Sequence, residues 1–191
     1  ALLRLAVVGV IGLSVVYLLM WIYARSVRRE QLEKDWAADH PDGGDPDARE
    51  WRNLAVDAAI NPLTALLRVP NGFLVEQKAL LSIMSRTAGE VAAVAAAQGI
   101  VLAEDAADRA VAVAHATAAN RSSMLQDIER GAPTETDAIC GAVVRVGVAV
   151  GVATPINDRL CRLVHQLESG EPPIQPGDVA GLVALLNQTE R

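Results

Sequence analysis

The hydrophobic positions of this chain follow two patterns. From Leu5 to Ala24 twenty residues run without a charge, and at about 1.5 Å per helical residue they match the roughly 30 Å hydrocarbon core of a bilayer. After Arg49 the pattern becomes alanine-rich and recurs every three to four residues, with no strand-like alternation. The first pattern predicts a single transmembrane helix and the second an all-α bundle.

The second pattern divides into segments. One runs from about Trp51 to Leu67, with a kink expected at Asn61-Pro62 because proline disfavours helical geometry in the residue before it. Pro70-Asn-Gly72 reads as a turn. Val75 to Gln98 carries Leu80, Met84, Val91, Val94 and Ala95 on one face and stops at Gly99. Segments follow at about Glu104 to Ala119 and Ser122 to Arg130. The next, Glu135 to about Val150, is expected to bury Ile139, Ala142, Val143 and Val146 before Gly151. Pro155 sits as at a first helical position, ahead of the stripe Ile156, Leu160, Leu163, Val164 and Leu167. Gly170 to Pro176 is a loop, and Asp178 to Leu186 a last short helix.

Between the two patterns, Arg25 to Trp36 alternates charges, with Glu30 and Lys34 at i,i+4, and Asp39 to Asp47 is rich in Pro, Gly and Asp, the residues of turns. The organisation read from this is 1–24 transmembrane helix, 25–50 charged arm and linker, 51–170 helical domain, and 171–191 loop and short helix. Tyr17, Trp21 and Tyr23 cluster at one end of the apolar run, with Arg25, Arg28 and Arg29 directly after. That end is expected on the cytoplasmic or matrix side of a bacterial or mitochondrial inner membrane. The run is too long for a cleaved signal. A G-x-G-x-x-G turn needs its middle glycine for the backbone to approach a pyrophosphate, and only Gly9 and Gly12 are present, so no cofactor is expected there.

Charge narrows the partners. With 17 Lys plus Arg against 23 Asp plus Glu, and 3% aromatics, the chain offers neither the basic footprint nor the stacking platforms that nucleic acid requires. Cys140 and Cys161 form no CxxC pair and read as small core residues. His40, His115 and His165 are scattered, and no metal site is expected.

Five motifs carry a resemblance: Asn61-Pro-Leu-Thr-Ala65, Pro70-Asn-Gly72, Ser122-Ser-Met-Leu-Gln-Asp127, Thr134-Glu-Thr-Asp137 and Gly151-Val-Ala-Thr-Pro-Ile-Asn157. In that order and spacing, Trp51 to about Glu168 resembles the C-terminal helical domain of ketopantoate reductase, also called 2-dehydropantoate 2-reductase. The resemblance implies a domain packed on a dinucleotide-binding domain, with the keto acid between them and NADPH as hydride source. It also implies a lysine acting as general acid, two asparagines one and two turns later, and a serine and a glutamate from the later motifs.

Carried onto this chain, the lysine position falls on Asn53, the asparagines on Asp57 and Asn61, the serine on Ser123 and the glutamate on Glu135. Residues 53, 57 and 61 share one helical face. An amide cannot act as a general acid, a loss of about 10²- to 10⁴-fold, and Asp57 places negative charge where an anionic keto acid belongs. Asn61, Ser123 and Glu135 also have structural readings, as a kink brace, an N-cap and a first-turn carboxylate. The expectation is therefore a non-catalytic, membrane-anchored accessory subunit of a large respiratory or other energy-transducing complex, with no cofactor. Its partners would be other membrane subunits and the lipid bilayer, with a small carboxylic acid as a vestigial ligand of Asn61, Ser123 and Glu135. The alternative is the C-terminal half of a split NADPH-dependent 2-dehydropantoate 2-reductase of pantothenate biosynthesis.

Overall fold

The computed structural model describes residues 46–102 and 104–187. The transmembrane helix expected before residue 25, the charged arm up to residue 45 and His40 lie outside the described residues.

Helix α1 (Pro46–Leu67) is the spine. It opens five residues before Trp51, with Pro46 at its first position, where the missing N–H costs nothing. The helix runs through Asn61-Pro62 without a break. Ala58, Ala59, Ile60 and Leu63 are all at most 3% exposed, so packing holds the turn on which proline removes a hydrogen bond. Thr64 adds to this by donating its hydroxyl to the Ile60 and Asn61 carbonyls at 3.0 and 2.9 Å. The helix closes on Arg68 with φ +56°, and the Val69 amide bonds back to the Thr64 carbonyl at 3.2 Å.

Pro70-Asn-Gly72 starts a helix rather than making a simple turn: α2 (Asn71–Glu76) has Pro70 at its N-cap. The Asn71 and Gly72 amides bond to the Asn120 and Ala118 carbonyls at 3.0 Å each, and a Cβ on Gly72 would lie 2.7 Å from that of Ala118. Glycine is required here by close approach. Gln77, in extended geometry, separates α2 from α3 (Lys78–Ala97). All five residues expected on the inner stripe of α3, Leu80, Met84, Val91, Val94 and Ala95, are buried. This helix is long and apolar enough to cross a membrane by length and composition, but that stripe lies in the bundle core.

Helix α4 (Ala106–Ala116) is capped by Asp105, which accepts from the Ala107 and Asp108 amides at 2.8 and 3.1 Å. Helix α5 (Ser123–Arg130) ends on Gly131 at φ +65°. Helix α6 (Cys140–Val150) begins later than the periodicity predicts, because Glu135 to Ile139 forms a separate turn. On α6, Val143 is buried while Ala142 and Val146 are half-buried, so the stripe includes Cys140, Gly141 and Gly147 instead. Helix α7 (Pro155–Glu168) buries all five expected residues, and α8 (Val179–Asn187) closes the bundle with Leu182 and Leu186. Among the described residues every regular element is helical, and α1 and α3 form the central pair against which α4, α5, α6 and α7 pack.

Candidate functional site

Of the five residues singled out by spacing, three lie along α1. Asn53 and Asp57 are exposed, while Asn61 is only 8% exposed. Glu135 comes from the turn before α6 and is exposed; its carbonyl accepts the Ala138 and Ile139 amides at 3.0 Å each, which fixes the turn. Desolvation, and after it the charge of Glu135, push the Asp57 carboxyl above the usual carboxylate range. Asp57 and Glu135, 78 residues apart in sequence, are thus brought together.

Ser123 stands at the first position of α5 and is exposed. The cap is Ser122, not Ser123. The buried Ser122 hydroxyl accepts from the Leu125 amide at 3.1 Å and shares a 2.7 Å hydrogen bond with Thr64 on α1. This contact couples Asn61-Pro-Leu-Thr-Ala65 to the Ser122 motif and explains why both contain hydroxyls. Glu135 belongs to a turn ahead of α6 rather than to the first turn of a helix.

Two constellations escaped the sequence. The first explains Asn157, the last residue of the Gly151 motif. Asn157 is fully buried, and its side-chain amide donates to Glu90 Oε2 at 2.8 Å and to the Thr87 carbonyl at 3.2 Å. Glu90 of α3 also accepts the Ile156 and Asn157 backbone amides, both at 2.9 Å. Thr154 supplies no side-chain cap, so a carboxylate from another helix caps α7.

The second constellation corrects the expectation that no histidine has ligands nearby. Asp137, Cys161 and His165 bring one donor atom each within 4.8 Å of one another. The His165 Nε2 lies 3.0 Å from Asp137 Oδ1 and its Nδ1 3.0 Å from Glu168 Oε2. Burial would lower the imidazole, but the hydrogen bonds to Glu168 and Asp137 outweigh it and hold His165 above its ordinary value. Cys161 and His165 are four apart on α7, a spacing visible in the sequence; Asp137 reaches them only through the fold. Cys140 is buried as expected, whereas Cys161 is half-buried and belongs to this cluster.

A cleft of about 530 Å³ shares Glu168 with this cluster, is lined also by Arg68, Ile128, Pro133 and Leu167 among others, and includes none of the five residues.

Residues 45–168 match the family described as Ketopantoate reductase PanE/ApbA C terminal. The chain belongs to this ketopantoate reductase family. It is 44% identical over 119 residues to the 2-dehydropantoate 2-reductase of Pyrobaculum aerophilum, covering 62% of this chain and 43% of that one. The Vibrio cholerae 2-dehydropantoate 2-reductase is 46% identical over 119 residues, 62% of this chain and 40% of its own. Among solved structures, the PanE/ApbA family ketopantoate reductase of Ralstonia eutropha superposes with a TM-score of 0.60 at 34% identity, covering 63% of this chain and 41% of that chain. D-mandelate dehydrogenase, in a ternary complex with NADH and anilino(oxo)acetate, superposes with a TM-score of 0.58 at 30% identity, covering 63% and 40%. The chain spans about two fifths of the length of these relatives.

These relatives correct one expectation outright. The Pyrobaculum aerophilum and Vibrio cholerae relatives are 2-dehydropantoate 2-reductases, which points away from a respiratory-chain accessory subunit in a mitochondrial inner membrane.

Proposed function

We propose that this domain is the helical, substrate-side half of a 2-dehydropantoate 2-reductase of pantothenate biosynthesis, acting with a dinucleotide-binding half that lies outside the described residues. The observation that carries this reading is the 44% to 46% identity to enzymes of that name over the helical part. The described residues do not themselves fit NADPH: they hold no strand from which a glycine-rich phosphate-binding turn could spring. Their work is to hold the 2-oxo acid and supply a proton.

The face of α1 carrying Asn53, Asp57 and Asn61 is where the substrate would lie. Asn61, nearly buried, offers amide hydrogen bonds to the carboxylate or hydroxyl of the acid, and Asn53 can donate to its keto oxygen but cannot protonate it. Reduction of that keto group leaves an oxyanion, and Asp57 is the titratable side chain one turn away. Its carboxyl is held above the ordinary range by desolvation and Glu135, which makes it a better-placed acid and softens the charge it presents to an anionic substrate. The pairing with Glu135 thereby offsets part of what the loss of a lysine at position 53 removes. The D-mandelate dehydrogenase relative, bound to anilino(oxo)acetate, supports 2-oxo acids as the substrate class.

The test is to titrate 2-dehydropantoate into the isotope-labelled full chain and follow the amide and side-chain NMR signals. Shifts centred on Asn53, Asp57, Asn61, Ser123 and Glu135 are expected. Shifts centred on the Arg68 and Pro133 cleft, or none at millimolar ligand, would contradict the assignment.

A further inference from the structure

We propose that Asp137, Cys161 and His165 form a binding site for a divalent transition-metal ion of the zinc class, with Glu168 orienting the histidine from outside the ligand set. The three donors are a carboxylate oxygen, a sulfur and an imidazole nitrogen, the set that zinc accepts and that hard cations such as magnesium do not.

The spacing is close to what coordination demands. Bond lengths of about 2.0–2.3 Å place the donors of a tetrahedral zinc roughly 3.3–3.8 Å apart. Here all three lie within 4.8 Å, and the histidine and aspartate donors are already 3.0 Å apart. Small side-chain rotations close the set. Cys161 and His165 share a face of α7, and Asp137 is delivered by the turn before α6, whose carbonyl at Asp137 is held by Arg145 at 3.1 Å.

Two further features point the same way. Metal-bound histidines usually give their second ring N–H to a carboxylate. With Nε2 directed at the metal, the His165 Nδ1 already has Glu168 Oε2 at 3.0 Å, and Glu168 is itself anchored through Oε1 by the Thr134 amide at 2.7 Å. The other feature is Thr136, 1% exposed, whose hydroxyl meets no oxygen or nitrogen partner and lies within hydrogen-bonding reach of the Cys161 sulfur. A metal-bound thiolate is a stronger acceptor for this hydroxyl than the thiol. The charged groups around the cluster are Asp137, Glu168, Asp158 and Arg145, with Asp158 already paired to Arg162 at 2.7 Å.

Three protein ligands leave a coordination position open, and the side chains of Asp137 and His165 are 73% and 45% exposed. The site is therefore exchangeable rather than sealed. Its consequence is mechanical: the metal would tie the turn 134–137, which carries Glu135, to α7.

Cobalt(II) titration of the reduced full chain, freed of any affinity tag, tests this directly. The expected result is one equivalent bound, with a thiolate-to-cobalt charge-transfer band that zinc abolishes by displacement. Cys161→Ser should remove the band, and His165→Asn and Asp137→Asn should weaken binding. Glu168→Gln should weaken it about ten- to a hundredfold, as outer partners of metal-bound histidines do. Cys140→Ala should leave the band in place. Absence of a charge-transfer band in the unaltered chain, or a band that survives Cys161→Ser, overturns the proposal without reference to any variant's stability.

Discussion

Removing the Glu90 carboxylate should destabilise the bundle far more than an ordinary surface change. Glu90 accepts three hydrogen bonds, from the Ile156 and Asn157 amides and the Asn157 side chain, at 2.8 to 2.9 Å. Hydrogen bonds to a charged group contribute about 1.5–3 kcal/mol each, and a carboxylate at a helix N-terminus adds about 0.3–1 kcal/mol. These do not sum, because water reaches Glu90 once it is truncated and Asn157 retains the Thr87 carbonyl at 3.2 Å. Glu90→Ala is therefore expected to cost about 2–4 kcal/mol, since the fully buried Asn157 loses its strongest acceptor. Glu90→Gln should cost at least half as much, because its NH₂ is turned towards a donor. The assay is urea unfolding followed by circular dichroism, which should show a lower midpoint at unchanged slope. A loss below about 0.5 kcal/mol for Glu90→Ala, within the range of ordinary surface changes, would show that α7 is capped by other means and refute the reasoning.

Three further outcomes follow from local geometry. Asp57→Asn should raise stability at neutral pH: the folded carboxyl titrates above its unfolded value, so its favourable contribution is complete below the unfolded pKa and is lost as pH rises through the folded one. Because Asp57 is exposed, the gain should stay within about 1 kcal/mol and vanish in melts near pH 3. Gly72→Ala should cost about 1–3 kcal/mol as overpacking, since the new methyl meets Ala118 at 2.7 Å; denaturant melts check it. Arg68→Gly should stabilise by about 1 kcal/mol, relieving the left-handed φ of +56°, and thermal unfolding should show the rise.

What the sequence revealed depended on range. The stripes of α3 and α7 were readable because Leu80, Met84 and Val91, or Ile156, Leu160 and Leu163, repeat at the helical period and face one core. The unbroken α1 was not, because proline's local cost is outweighed by burial of Ala58, Ala59 and Leu63, which no local rule registers. Asn53, Asp57 and Asn61 could be placed on one face from spacing alone, whereas only the fold brings Glu135 within electrostatic reach of Asp57. Ser122 and Ser123 are adjacent hydroxyls, and only the Leu125 amide, which donates to Ser122 at 3.1 Å, identifies which one caps. The cluster of Asp137, Cys161 and His165 was half visible in the four-residue spacing of Cys161 and His165 and half hidden in Asp137.

The most direct test of the central claim is turnover. The full chain is combined with the dinucleotide-binding half of a relative such as the Vibrio cholerae reductase, and NADPH oxidation is followed with 2-dehydropantoate. The account predicts slow, substrate-dependent oxidation that falls on Asp57→Ala and rises about 10²- to 10⁴-fold on Asn53→Lys, which restores a general acid. Failure of the folded Asn53→Lys protein to oxidise NADPH in the assembled pair would contradict it.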